Sequence, residues 1–261
     1  MRSNTRDGGM NETLILSALN RHYFKDLDEK WKRHMKRMFK EIKDDDFIIC
    51  NYYQYKDAKP DIEIIVRNRK VFLSIKSGHA PTVHREPIKT FFEFLRSLGV
   101  PERIIKIIAF YHYGYSLKKD IHTKVLSRQE IIEKYSKYIK EVNNYFLDHK
   151  EIVRELIYRT IIKGRLKRDL IEYFYYGNSA KGFLLSCYDI IDLILKDRNE
   201  ECSSICFYSL TYVSCARNPK RNDKHRVQIS WPVLCKYYYD KEFLEKYDLG
   251  NAHSKISEGN I

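Results

Sequence analysis

The residues that most constrain the fold run from Pro60 to Lys76, where apolar and polar side chains alternate through two short stretches that flank Arg67-Asn68-Arg69. Alternation has the period of an extended strand, so a two-stranded antiparallel hairpin is expected. A two-residue turn at Asn68-Arg69, with Asn in the positive-φ conformation it tolerates, pairs Ile62 with Ile75, Ile64 with Leu73 and Val66 with Val71 on one apolar face. The other face then carries Asp61 opposite Lys76 and Glu63 opposite Ser74. Opposed Cβ atoms lie roughly 4.5–5.5 Å apart, so two carboxylates, an ammonium and a hydroxyl share a patch suited to a divalent cation and a phosphate. The plainer alternative is a surface ion pair contributing about 0–1 kcal/mol.

Elements around the hairpin follow from spacing. Asn11-Glu12-Thr13 opens an amphipathic helical pattern, long or broken, that ends before Asp44-Asp45-Asp46, expected as a solvated turn. Residues 47–53 read as a strand. Pro87, then Ile88, Phe91, Phe92, Leu95 and Leu98, predict a helix that Gly99 and Pro101 stop, and 104–111 reads as a buried strand. Beyond about residue 121 the pattern is helical: Ser127 with Glu130 forms a capping-box signature, and Phe183 to Leu195 reads as one apolar helix. Residues 204–215 and 226–233 read as two strands. The expected fold class is α/β, with an αβββαβ core on a mixed sheet in 1–120, a helical region in 121–200, and a β-hairpin with a basic loop and polar tail in 201–261, packed on the core.

Charge narrows the partner. Against 35 Asp and Glu stand 48 Lys and Arg, a formal net charge of +13, which favours a polyanion such as nucleic acid. The six cysteines show no CxxC pair, and Cys202-x3-Cys206 is a weak zinc signal, so reduced thiols in a cytoplasm are expected. No apolar run reaches 18 residues and the first residues have no apolar signal region, so a soluble, unexported protein is expected.

With Pro60-Asp61 opening one strand, Lys76 on the next, and this order of elements, residues 11–115 resemble the restriction-endonuclease-like superfamily, PD-(D/E)xK. The resemblance implies a restriction-endonuclease-like fold and a magnesium-dependent endonuclease, manganese substituting, that hydrolyses DNA phosphodiester bonds as a restriction or defence enzyme. It implies that Asp61 binds the metal, that the backbone carbonyl of Ile75 contacts it, and that Lys76 positions the attacking water. Ser74 departs from the motif, which has an acid there. Glu63 or Glu86 is expected to supply the missing carboxylate as a metal ligand and catalytic residue, with Glu93 a weaker candidate; Glu12 is a further candidate through a water. The alternative is a catalytically inactive nucleic-acid-binding protein on the same fold. An interaction protein with merely exposed hairpin charges is a third reading.

For DNA contact, His84 and Arg85 stand beside Glu86, and Arg217, Lys220, Arg221, Lys224 and Arg226 form a cationic loop with one acid, Asp223. Lys163-Gly164-Arg165-Leu166-Lys167-Arg168 is a weaker basic segment. The clusters Tyr52-Tyr53-Tyr55, Tyr173-Phe174-Tyr175-Tyr176 and Tyr237-Tyr238-Tyr239 have strand or helix period and are expected to pack, stacking on bases being the alternative. The sequence leaves the oligomeric state open, a homodimer being one alternative because cutting both strands commonly needs two sites.

Overall fold

The computed structural model describes residues 3–55, 58–78, 81–115, 125–164, 169–198, 202–216 and 225–248. In chain order the elements are α1 (Ser3–Leu19), β1 (His22–Tyr23), α2 (Glu29–Met38), β2 (Phe47–Tyr52), β3 (Ile62–Val66), β4 (Arg69–Lys76), β5 (Thr82–Pro87), α3 (Ile88–Ser97), α4 (Glu102–Tyr113), α5 (Arg128–Asp148), α6 (Lys150–Ile157) and a π turn (Tyr158–Ile162). Then come β6 (Tyr173–Gly177), β7 (Gly182–Ser186), α7 (Cys187–Lys196), β8 (Cys206–Phe207), β9 (Leu210–Ser214), β10 (Arg226–Ser230), α8 (Val233–Tyr237) and α9 (Lys241–Asp248). The class is mixed α/β, as expected. The chain divides into two units, one drawn from 1–80, 166–188 and 234–261 and the other from 81–165 and 189–233. These boundaries cross the three-part division read from the sequence, because strand pairing joins residues far apart in the chain.

The first unit is built on a sheet of order β1-β2-β3-β4-β6-β7, antiparallel throughout except for the parallel pair β4–β6. Asp28 caps α2 by accepting from the Trp31 N–H at 2.8 Å, and Trp31, Met35 and Met38 recur at one face. That face, with Ile15 and Leu19 of α1, packs on Ile48, Cys50, Ile62, Ile64, Val71, Leu73 and Ile75. Burying one such side chain fully contributes roughly 1.5–3 kcal/mol, so this apolar layer defines which side of the hairpin is left for polar groups.

The hairpin forms, but its turn is Arg67-Asn68, and Val66 pairs with Arg69, Ile64 with Val71 and Ile62 with Leu73. Arg67, not Asn68, takes the positive φ, +53°. Its guanidinium donates to Asp46 through Nε and Nη2, both at 2.6 Å, which holds the turn where it is. Asp46 is therefore buried and paired, not part of a solvated turn. Hydrogen bonds from Arg67 hold its carboxyl below the usual range.

Residues 173–177 and 182–186 form a hairpin, and the expected helix at Phe183 begins only at Cys187. Phe183, Leu184 and Leu185 are all fully buried, so both faces of β7 are covered and the alternation that marks a strand is erased. Asn178 makes the turn by accepting from the Ala180 and Lys181 N–H groups at 2.9 and 2.8 Å.

The second unit carries a sheet of order β5-β10-β9-β8. Phe91 of α3 packs against Tyr212 and Phe207, and Phe146 of α5 against Phe207. Residues 104–111 lie within the helix α4, not in a strand. Ile104, Ile105, Ile107, Ile108, Tyr111 and His112 are buried at helical spacing, and the isoleucine run was compatible with either period. The fourth strand of the expected αβββαβ core is thus not 104–111; the strand beside β4 is β6. The Ser127–Glu130 capping box is present. Cys202 and Cys206 form a disulfide, against the expectation of reduced thiols.

Among the described residues no helix is long and apolar enough to cross a membrane.

Candidate functional site

Pro60 precedes β3 and cannot donate to the ladder. Asp61 donates its N–H to the Leu73 carbonyl at 2.9 Å, which sets its side chain against the end of β4. There a single carboxylate oxygen, Oδ2, accepts three hydrogen bonds: from Ser74 Oγ at 2.9 Å, the Ile75 N–H at 2.6 Å and Lys76 Nζ at 3.3 Å. Lys76 Nζ also donates to the Ile75 carbonyl at 2.9 Å. Ser74 is buried, whereas the Asp61 and Lys76 side chains are 21% and 29% exposed, so the group opens to solvent on the acid and amine side.

Glu12, on α1, completes the group. Burial raises its carboxyl above the ordinary value, the nearby Asp61 charge adds to that, and Lys76 opposes it. It has no hydrogen bond or ion pair to a described residue, so it is a half-buried carboxylate that feels the charges of both Asp61 and Lys76.

The register slip removes Glu63 from this cluster. Glu63 lies opposite Phe72, not Ser74, and its carboxylate takes Lys70 Nζ at 3.0 Å and Asn51 Nδ2 at 3.2 Å, on the turn side of the hairpin. Glu86 stands just ahead of α3, as expected, but on a strand of the second unit. Its oxygens accept from Arg159 Nε and Nη2 at 3.0 and 2.6 Å, and His84 Nε2 lies 3.1 Å from Oε1. Burial pushes its carboxyl up, yet His84 and Arg159 outweigh that and leave it below the ordinary value. Glu93, on α3, is exposed.

Two features lay outside sequence reasoning. Arg159 sits in a charge-rich helical stretch with no local mark of its role. Gln228, across from Arg85 and bonded to it at 2.9 Å, could have been placed only with the strand register in hand. Of the cations expected to meet DNA, Arg85 and Arg226 are exposed and His84 is buried; Arg217, Lys220, Arg221 and Lys224 lie outside the described residues. So do residues 165–168 of the weaker basic segment. Tyr175 and Tyr176 are fully buried, in keeping with packing, while Tyr52 and Tyr239 are 50% and 67% exposed.

Among the described residues no three His, Cys, Asp or Glu side chains gather into a metal-binding group. The oxygens brought together are those of Asp61 and the Ile75 carbonyl, both bonded by Lys76 Nζ, with Glu12 near enough for the Asp61 charge to raise its carboxyl; all are hard donors. Magnesium is commonly held by one or two carboxylates with waters and substrate phosphates, so this set fits it. No known family model matches the chain. No curated protein matches it either.

Proposed function

We propose that the chain is a magnesium-dependent nuclease that hydrolyses phosphodiester bonds in DNA. The observation that carries this is the convergence of Ser74, Ile75 and Lys76 on one oxygen of Asp61, which leaves the other oxygen, Oδ1, with no hydrogen bond to a described residue, while the Asp61 charge is felt at a second, half-buried acid, Glu12. The run of three antiparallel strands, β2, β3 and β4, with the parallel neighbour β6 beside β4 supports the endonuclease-like reading, although β6 is not the strand that the sequence suggested. The excess of basic residues supports a polyanionic substrate.

Asp61, Glu12 and the Ile75 carbonyl would hold the ion. When bound, magnesium would polarise the scissile phosphate and acidify a coordinated water. Lys76, kept in place by the Ile75 carbonyl, orients the attacking water and offsets charge growing on the phosphate oxygens. Ser74 does not replace the acid of the motif; it holds Asp61 in one rotamer, and Glu12 supplies the second negative charge.

The test is cleavage of plasmid and of labelled linear DNA in magnesium, manganese and EDTA. Metal-dependent cutting that Lys76→Ala abolishes while DNA binding persists supports the reading. The specific observation favouring the rival, a DNA-binding protein without catalysis, is the hydroxyl of Ser74 where the motif has an acid. Absence of cutting in either metal would decide for it.

A further inference from the structure

In the first unit β4 runs parallel to β6, and Lys76 is the register partner of Tyr176, so the two leave the same end of the sheet on one face. Tyr176 is fully buried, and the Tyr238 ring packs edge-on against it with centroids 6.0 Å apart. Tyr238 also closes on the chain just past Lys76: a Cβ built on Gly78 would lie 2.7 Å from the ring, so glycine there is what lets the ring approach. Tyr239 follows, its ring centroid 5.2 Å from that of Tyr238, and is 67% exposed. Contacts thus run from the strand end that carries Lys76 to an open aromatic ring.

A cation stands at the same place. Lys181 Nζ lies 4.7 Å from the centroid of the Tyr238 ring and 5.2 Å from that of Tyr239, is exposed, and has no hydrogen bond or ion pair to a described residue. The turn that carries it is tied throughout. The Asn178 N–H donates to the Lys181 carbonyl at 2.8 Å, and Asn178 Oδ1 accepts from the Ala180 and Lys181 N–H groups. The Tyr175 hydroxyl donates to the Asn178 carbonyl and Lys30 Nζ to the Ser179 carbonyl, both at 2.7 Å, and Asn178 Nδ2 reaches the Tyr238 hydroxyl at 3.5 Å. Lys181 is therefore presented from a fixed base, and little backbone freedom is left to lose on binding.

Exposure of a tyrosine is not in itself a sign of function in this chain. Tyr188 is 82% exposed, but it follows the far end of β7, where Ser186 pairs with Tyr173, and Tyr52 shares its hydroxyl with Thr13. Tyr239 combines an open ring with a cation and a place beside the lysine end of β4. Those are the parts by which proteins hold unpaired strands, the ammonium taking a phosphate and the ring a base face. Contact with the rings uses the charge of Lys181 and leaves its three N–H donors for phosphate oxygens. In a duplex the base faces are covered by their neighbours, so a ring beside the scissile phosphate finds one only where the strand is unpaired.

We propose that Tyr239 and Lys181 hold an unpaired nucleotide beside the scissile phosphate, Tyr239 stacking on its base and Lys181 taking its phosphate, so that the substrate is single-stranded DNA. The inference rests on the reading that the chain is a DNA nuclease, and adds to it the class of substrate and the residues that select it.

The experiment measures binding of the full chain to a labelled oligonucleotide and to the same sequence as duplex, in EDTA so that no cutting intervenes, and then cleavage of both in magnesium. Wild type is expected to bind and cut the single strand in preference to the duplex. Tyr239→Ala is expected to weaken strand binding by about 5- to 150-fold, with duplex binding and the unfolding midpoint close to wild type because the ring is exposed. Tyr239→Phe keeps the flat ring and is expected to bind as wild type does, whereas Tyr239→Leu keeps apolar bulk without a ring face and is expected to bind as the alanine variant does. Lys181→Gln is expected to reduce the slope of log affinity against log salt for the strand by about 0.7. Equal or tighter binding of the duplex, strand binding that Tyr239→Ala leaves unchanged, or an unaltered salt slope would overturn the proposal. The two readings fail separately: cutting of duplex with strand binding indifferent to Tyr239 keeps the nuclease and sinks this inference, and a Tyr239-dependent strand preference without cutting in magnesium or manganese sinks the nuclease and keeps the strand-binding site.

Discussion

A strand and a strand's entry each present a carboxylate to a cation in this chain, Glu86 on β5 and Asp61 just before β3, and they do it in opposite ways. In the second unit Glu86 is 1% exposed at its side chain, both oxygens are matched to the two arms of Arg159, and His84 adds a third contact. In the first unit Asp61 spends one oxygen on three donors, remains partly exposed, and feels the charge of Glu12, with Lys76 the one cation bonded to it among the described residues. The first arrangement is complete and has no capacity left for a ligand. The second has a local excess of negative charge that a cation can supply. An acid's place on a strand therefore says less about function than whether its oxygens are already satisfied.

The contrast can be broken by experiment. The largest effect is expected at Lys76: alanine there should lower the cleavage rate by about 10²–10⁴, with an unfolding midpoint close to wild type because the side chain is partly exposed and the core beneath it is intact. A parallel loss of stability would make the cluster a structural one like that of Glu86. Next comes Arg159→Met, which leaves Glu86 buried without its partner and should cost about 3–5 kcal/mol in urea denaturation. A cost below about 1 kcal/mol would mean that this pair is no better matched than a surface bridge.

Metal binding should produce a smaller shift. At a magnesium concentration one hundred times its dissociation constant the folded state should gain about 2.7 kcal/mol, read as a rise in melting temperature that Asp61→Asn removes and Glu86→Gln does not. The smallest effects are the pH dependences, and they should run in opposite directions. Glu86 is depressed below its ordinary value of 4.5, so its stabilising contribution is present above that pH and is lost as pH falls through the lower folded value. Wild type and Glu86→Gln should converge in strongly acidic buffer. Glu12 is raised above 4.5, so its contribution is present below that pH and is lost as pH rises through the higher folded value. Glu12→Gln should then become more stable than wild type as pH rises past 4.5, and should blunt the magnesium-induced shift. Parallel pH profiles for the two variants would erase the distinction between the clusters.

Much of the hairpin was legible because a strand's side chains repeat every two residues. The turn moved by one residue and the pairing by two, yet Ile62, Ile64, Val71 and Leu73 stayed on the core side and Asp61 and Lys76 stayed on the other. The same slip was enough to carry Glu63 out of reach of Ser74 and toward Lys70. Where burial is two-sided the pattern was mute: Phe183-Leu184-Leu185 looked helical and is a strand, and 104–111 looked like a strand and is a helix. Glu86 was correctly placed at the mouth of α3, but its commitment to Arg159 could not be seen, since the partner lies in another helix-rich segment far along the chain.

By itself, the amino-acid order determined the mixed α/β class and the apolar and polar sides of the hairpin, along with an excess of positive charge. These follow from side-chain periodicity and composition, which are local or additive properties. Tertiary structure decided the register, the choice of β6 as the parallel neighbour of β4, the arrival of Glu12 beside Asp61 and the neutralisation of Glu86. Each of these depends on which distant groups satisfy one another once water is excluded, and an acid records nothing in its neighbouring residues about the partner it will meet.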